Sequence, residues 1–257
     1  MMTPVSRLLV LSMLAKYALA SNEDNLTDYM DVDFDPLDLK NTKIPVTLDI
    51  SKGIPKEVAA TLSVGLPISF TYIIKPGYRR THRIGKIADD DEVIIEDNEM
   101  NSNRFAFYFG TDSGREYIRV FNVISLSSGS IIHIDEFSRE TTDLVYKRIF
   151  RKPVDLDLLS QNYNELINVS VLSDTNHTEG ITGCFTIKPE ASLSAIIGAV
   201  SYGGYTIEDR VDGLIYRKVI WEGGLNNPKI TIISRYNDSS ETKQTFVRGE
   251  QGFILLI

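Results

Sequence analysis

The 257-residue sequence is poor in the side chains that cross-linking and metal chemistry use most, with one cysteine and three histidines. Cys184 alone allows no intramolecular disulfide, so apolar burial must hold the fold in oxidising and reducing compartments alike. It stands in Gly183-Cys184-Phe185-Thr186-Ile187, a strand-like run with no neighbouring cation, which predicts a buried, inert thiol rather than a nucleophile. His82, His133 and His177 form no H-x-x-x-H pair and have no second cysteine to join, so no zinc ligand set and no cofactor is expected. His133, in Ile131-Ile132-His133-Ile134, reads as a solvent-facing strand residue, and His177 as a loop residue. The glycine pairs Gly203-Gly204 and Gly223-Gly224 are not followed by Lys-Ser/Thr, which excludes a phosphate loop, and no G-x-S-x-G elbow occurs. Apolar runs of bilayer-spanning length are also missing.

What is present is an ordinary soluble composition, 42% hydrophobic and 24% charged, long enough for one large or two small domains. Twelve tyrosines, eleven phenylalanines and recurrent Ile and Val favour strands over helices. Residues 1–20 read as a signal peptide: Arg7 gives the positive start, Leu8 to Leu14 a short apolar run, and Ala18-Leu19-Ala20 a cleavage site. Its removal takes Arg7 and Lys16 and no acid, leaving 25 basic and 35 acidic residues, a net charge of −10. A secreted chain so acidic is no general binder of nucleic acid or anionic membrane, and no span remains after cleavage.

Residues 21–43 form an acidic, irregular leader. Asp31-x-Asp33-x-Asp35 begins like a calcium loop, but Pro36 and Thr42 stand where that loop needs Gly and Glu. From Val46-Thr47-Leu48-Asp49-Ile50 onward, apolar and polar residues alternate as in half-buried strands. Further strand-like runs follow at short spacing, broken by Lys75-Pro76-Gly77 and Asp112-Ser113-Gly114, which predicts antiparallel sheet. One exception stands out: Leu156, Leu159, Tyr163, Leu166 and Ile167 recur at three- and four-residue intervals, which predicts a helix over 155–167. The expected fold class is α+β and β-rich, with two tandem small antiparallel-sheet modules and at most one packed helix in each.

Internal repetition supports the two modules. Val93-Ile94-Ile95-Glu96 aligns with Val219-Ile220-Trp221-Glu222 at an offset of 219 minus 93, or 126 residues. At that offset Asp112-Ser113 falls on Asp238-Ser239 and Phe107 on Ile233, and with one gap Gly77-Tyr78 falls on Gly204-Tyr205. The expected modules are 44–162 and 163–257.

These motifs resemble the FAINT domain of secreted and surface proteins of piroplasm (Theileria-type) parasites. The resemblance rests on Val46 to Ile50, Gly77-Tyr78 and Ile87 to Glu96 in the first module. In the second it rests on Gly204-Tyr205, Val211-Asp212-Gly213, Val219 to Glu222 and the closing Phe246 to Phe253. It implies a signal-peptide-bearing protein without catalytic activity, released into or displayed toward the infected host cell. Phe253 to Ile257 is too short for an anchor, which favours a secreted form over a surface-associated one.

Candidate sites are correspondingly few, and no catalytic or metal-binding residue is expected. Lys75, Tyr78, Arg79, Arg80, Arg83 and Lys86 make a basic stretch suited to a partner contact, unless the acidic turn Asp89 to Glu92 neutralises it across a hairpin. That turn and Asp135-Glu136 read as solvated like charges; a hydrolase using Asp135 or Glu136 is the alternative from another class. Sequons at Asn25, Asn168, Asn176 and Asn237 are candidate glycan acceptors, and Trp221 is expected to pack in a core. The sequence thus points to a secreted, non-catalytic protein touching an unknown host or parasite protein, with a surface-coat antigen held by partners as the second reading.

Overall fold

The computed structural model describes residues 43–62, 69–98, 103–110, 114–126, 129–160, 162–172, 182–225, 227–250 and 252–256. The signal-peptide segment, the leader up to residue 42, Asn25, Asn176, His177, Asp112 and Ser113 lie outside the described residues. The chain divides into two units, Met1–Ile149 and Phe150–Ile257.

In the first unit β1 (Ile44–Asp49), β4 (His82–Asp89) and β5 (Glu92–Ile95) form a three-stranded sheet in that order. Beside it β2 (Val58–Leu62), β3 (Ser69–Ile74), β6 (Asn103–Gly110), β7 (Glu116–Leu126), β8 (Gly129–Arg139) and β9 (Lys147–Arg148) form a six-stranded sheet, again in that order. The second unit repeats the plan. Its small sheet is β10 (Lys152–Asp157), β13 (Ala195–Tyr202) and β14 (Tyr205–Glu208). Its large sheet is β11 (Ile167–Leu172), β12 (Thr182–Ile187), β15 (Leu214–Glu222), β16 (Lys229–Tyr236), β17 (Glu241–Gly249) and β18 (Gly252–Leu256). Every strand has its counterpart nine labels later, in the same sheet position. β1 and β4 run parallel, as do β10 and β13, and every other pairing is antiparallel.

The duplication expected from the sequence is therefore present, but its alignment differs. Val93-Ile94-Ile95 lies in β5, the edge of a small sheet, whereas Val219-Ile220-Trp221 lies in β15, inside a large one. Gly77-Tyr78 sits in a 3-10 turn, Pro76–Tyr78, and Gly204-Tyr205 in a hairpin, so these too are unrelated positions. The true correspondences are Ile44-Pro45-Val46-Thr47-Leu48-Asp49 with Lys152-Pro153-Val154-Asp155-Leu156-Asp157, Ile74-Lys75-Pro76 with Ile187-Lys188-Pro189, Gly85 with Gly198, and Arg104 with Arg217. Their offsets are 108 for the first and 113 for the rest (152 − 44; 217 − 104). Short Val/Ile runs recur wherever a strand is buried, so they match by type rather than by position. The bulge confirms the new register, for the parallel ladder slips between Val46 and Leu48 in one unit and between Val154 and Leu156 in the other.

Two further expectations are corrected. The boundary at residue 162 moves to 149/150, because β10 is the first strand of the second unit's small sheet. The helix over 155–167 is absent, and no α-helix occurs among the described residues. Asp157 ends β10 by accepting the backbone amides of Leu159, Gly203 and Gly204, and Asn164 accepts that of Leu166 at 2.9 Å. Short polar acceptors of this kind compete with helical hydrogen bonds and favour turns. Leu156 and Leu158 reach the core from the end of β10, two residues apart as on a strand, and Ile167 reaches it from the start of β11.

The cores lie between the facing sheets. Leu48, Ile84, Ile87, Ile118 and Val120 are fully buried in the first, and Leu156, Ile197, Val200, Val219, Ile230 and Ile232 in the second. Each such side chain contributes about 1.5–3 kcal/mol. One buried arginine crosses each core. Arg104 on β6 donates to the Gly85 carbonyl of the small sheet and to Asn122 Oδ1 at 2.7 Å. Arg217 on β15 donates to the Gly198 carbonyl and to Ser234 Oγ at 3.0 Å. Glycine is required beneath both: a Cβ at Gly85 would lie 2.7 Å from the Cβ of Pro45, and one at Gly198 2.9 Å from that of Pro153.

Candidate contact surface

The basic stretch does not present its six residues as one patch. Pro76 starts a single 3-10 turn after β3, and the chain re-enters the sheet at His82. Lys75 is exposed and donates to the Lys56 carbonyl at 2.7 Å, and Arg80 is exposed. Arg79 lies back on the Ile74 carbonyl at 3.4 Å, and Lys86 is half-buried on β4. Tyr78 packs against the core edge-on to His82, at 5.4 Å between ring centres, while His82 meets the Thr81 hydroxyl at 2.8 Å. Arg83 is buried and gives both terminal nitrogens to Asp97. That hydrogen-bonded guanidinium holds the Asp97 carboxyl below its ordinary range. Arg83 is therefore a structural cation, and the solvent-facing remainder is centred on Lys75 and Arg80.

Nor does the basic stretch neutralise the acidic turn. Asp89 and Glu92 converge with Glu116 on Arg139, and all four side chains are largely buried. The Arg139 guanidinium lies 4.4 Å over the Tyr146 ring, and the hydroxyls of Tyr146 and Tyr108 donate to Glu116 at 2.8 and 3.0 Å. Burial works against ionisation of Glu116, but hydrogen bonds from Tyr146, Arg139 and Tyr108 outweigh it and lower its pKa. Burial, reinforced by the Glu116 charge, pushes both tyrosine hydroxyls up. Only the tip of the turn is solvated, where Asp90 pairs with Lys52 at 2.9 Å. Behind it, hydrogen bonds from Ser51, Asp90 and Lys52 overcome desolvation and hold Asp49 at about 2.

Asp135 and Glu136 are buried strand residues of β8 rather than a solvated pair. Consecutive strand residues point to opposite faces, and their partners differ accordingly. Asp135 takes the Asn122 amide at 2.8 Å, the Arg148 guanidinium, and His133 Nε2 at 3.3 Å. Glu136 takes Arg119 at 2.9 Å and the Tyr117 hydroxyl. Desolvation works against the Arg119 charge, but the Tyr117 hydroxyl and the Glu136 carboxylate beside it outweigh this and raise its pKa. A hydrolytic pair needs two carboxyls facing one cleft in different environments. These two share none.

Cys184 is a buried free thiol, and Trp221 packs on the second core, edge-on to Tyr202 at 5.9 Å, with its Nε1 donating to the Gly224 carbonyl at 3.2 Å. Asn168 is exposed on β11, and Asn237 is half-buried in the turn after β16, where its backbone N–H donates to the Gly213 carbonyl at 2.7 Å. Among the described residues no three His, Cys, Asp or Glu are grouped to hold a metal, and no helix is long and apolar enough to cross a membrane.

Sequence reasoning missed a run of exposed apolar side chains in the second module, on the edge strand β18. Ile254, Leu255 and Leu256 are 58%, 42% and 50% exposed. Its signal was Phe253-Ile254-Leu255-Leu256, a run without the alternation of a strand that has one wet face. No family model matches this chain, and neither a curated protein nor a solved structure does.

Proposed function

We propose that this chain is a secreted, non-catalytic contact protein that acts at a host–parasite interface through the surfaces of its two β modules. One observation carries the reading: the carboxylates that a hydrolase would need are committed to ion pairs inside the sheets. Asp135 is held by Arg148 and Asn122, and Glu136 by Arg119 and Tyr117. What faces solvent instead is the turn bearing Lys75 and Arg80, together with apolar side chains at strand edges and loops, among them Leu144 at 90% exposure. Exposed apolar groups rimmed by polar residues are the usual mark of an interaction surface. The resemblance of Val46 to Ile50 and Ile87 to Glu96 to the FAINT domain, and the signal-peptide pattern of residues 1–20, supply the compartment.

Fractionation of infected cells with an antibody to the mature chain tests the proposal. Recovery in the medium or host cytoplasm is the expected result. Retention with parasite membranes would favour a coat antigen held by partners, and recovery in the parasite cytosol would end both readings.

A further inference from the structure

The large sheets of the two modules end differently. β9 is two residues long and both are charged, Lys147 and Arg148. Short length and charge are the usual devices that stop a sheet edge from pairing with another chain. β18 occupies the same position in the second module and has neither device: it is five residues long, from Gly252 to Leu256, without a charge or a proline. Its inward residue Phe253 is anchored on Tyr202 and Tyr205, at 5.2 and 5.8 Å between ring centres, so the strand is held in place while its apolar side chains face water. The small-sheet edges β1 and β10 are protected by Pro45 and Pro153, and β5 and β14 by Glu92 and Glu208.

We propose that β18 pairs antiparallel with β18 of a second copy, centred on Ile254, joining two large sheets into one. The occupant follows from charge and symmetry. In that register Gly252 faces Leu256, Phe253 faces Leu255 and Ile254 faces its own copy, so no like charges meet. The same pairing at β9 would set Lys147 and Arg148 against their own copies. An isologous contact also closes on itself, whereas β18 laid on the opposite edge, β11, would propagate into open filaments. The inference is independent of secretion, so its failure leaves the proposed function standing.

Sedimentation of the purified chain across micromolar concentrations is expected to show a reversible twofold rise in mass. Ile254→Lys, which places two ammonium groups at the symmetry axis, is expected to return the monomer with the emission of Trp221 unchanged. Ile254→Cys reads the register directly. Residues opposite each other in an antiparallel ladder have Cα atoms about 4.5–5.5 Å apart, within disulfide reach. Mild oxidation should therefore link two copies through residue 254, while Val169→Cys on β11 should not link. A monomer at every concentration, a dimer untouched by Ile254→Lys, filaments, or a 254-to-169 link in the double variant would each overturn the proposal. If Ile254→Lys alters Trp221 emission, the cysteine result decides.

Discussion

The β4–β5 hairpin of the first module and the β13–β14 hairpin of the second meet their large sheets at the same place with opposite chemistry. Asp89 and Glu92 close the first hairpin, and Tyr202 and Tyr205 close the second. Across from them stand Tyr108, paired with Ile118, and Trp221, paired with Ile230, which are equivalent positions. The first junction is built on ions, with three carboxylates and two hydroxyls around Arg139. The second is built on rings, with Tyr202, Tyr205, Trp221 and Phe253 meeting edge-on or tilted. One backbone thus accepts either solution, because the parallel β1–β4 and β10–β13 ladders and the cores beneath them already fix the hairpin. The difference lies in what each solution responds to. Ionic contacts depend on pH and salt; ring contacts depend on neither to first order.

The largest separation of the two modules is expected at their buried arginines. Arg104 lies in the field of Asp97 and Asp135, and burial lowers its pKa while those carboxylates oppose the shift. Arg217 is satisfied by neutral acceptors, the Gly198 and Arg210 carbonyls and Ser234 Oγ. Arg104→Met also leaves neutral acceptors, the Gly85 and Glu96 carbonyls and Asn122 Oδ1, but in addition withdraws a cation from the field of Asp97 and Asp135, so it should cost more than Arg217→Met. Arg217→Met leaves neutral acceptors behind and should cost about 1–3 kcal/mol. Urea unfolding followed by circular dichroism reports both modules, and the emission of Trp221, the single tryptophan, reports the second alone. Equal losses would mean that the carboxylates near Arg104 contribute nothing.

Acid should separate the modules next. Asp49, Asp97 and Glu116 of the first module all have lowered carboxyl pKa values. A carboxyl depressed on folding contributes stability above its unfolded pKa, near 4, and loses it as pH falls through the folded value. The first module should therefore weaken progressively below about pH 4, with the Asp49 contribution surviving until about 2. Among the described residues of the second module, Asp238, hydrogen-bonded to Ser240, shows the same depression. Thermal unfolding at pH 3 should lower the circular-dichroism midpoint of the first module while the Trp221 transition moves less. A joint shift would refute the contrast.

A smaller difference is expected at the glycines. At Gly85 an alanine Cβ meets the ring of Pro45 at 2.7 Å, which has little freedom to move. At Gly198 its nearest neighbour is Asp155 Oδ1 at 2.6 Å, a side chain that can swing off the Ala199 amide it accepts from. Both alanine variants should lose about 1–3 kcal/mol through overpacking, with Gly85→Ala the more costly. These sites also show how much was legible in the sequence. Alternation at Val46-Thr47-Leu48-Asp49-Ile50 revealed strands, because one wet face imprints a period of two. The repeat was legible as a fact but not in register, since the informative residues were Gly85, Gly198, Arg104 and Arg217, single letters scattered among interchangeable Val and Ile. The Leu156 to Ile167 spacing mimicked a helix because turn residues happened to fall between two strands. The carboxylates were misread for a different reason. Asp135 and Glu136 look like a charged turn until Arg148 and Arg119, distant in the chain or across a strand, are brought to them by β-pairing.

The smallest expected effect lies within the aromatic junction itself. Trp221→Phe keeps a ring against Tyr202 and removes the Nε1 donor to the Gly224 carbonyl. Gly224 has a φ of 64° and Gly223 of 80°, so the turn that follows β15 already rests on glycine's freedom to adopt positive φ rather than on that hydrogen bond. The loss should be about 0.5–1.5 kcal/mol, the ordinary net value of one hydrogen bond. Tyr108→Phe in the first module removes a donor to Glu116, a charged acceptor, and should cost more, about 1.5–3 kcal/mol. Measured side by side by urea unfolding, the tyrosine variant should also lose its excess cost as the pH falls through the lowered pKa of Glu116, while the tryptophan variant should show the same cost throughout. That divergence follows only if one junction is held by charge and the other by packed rings.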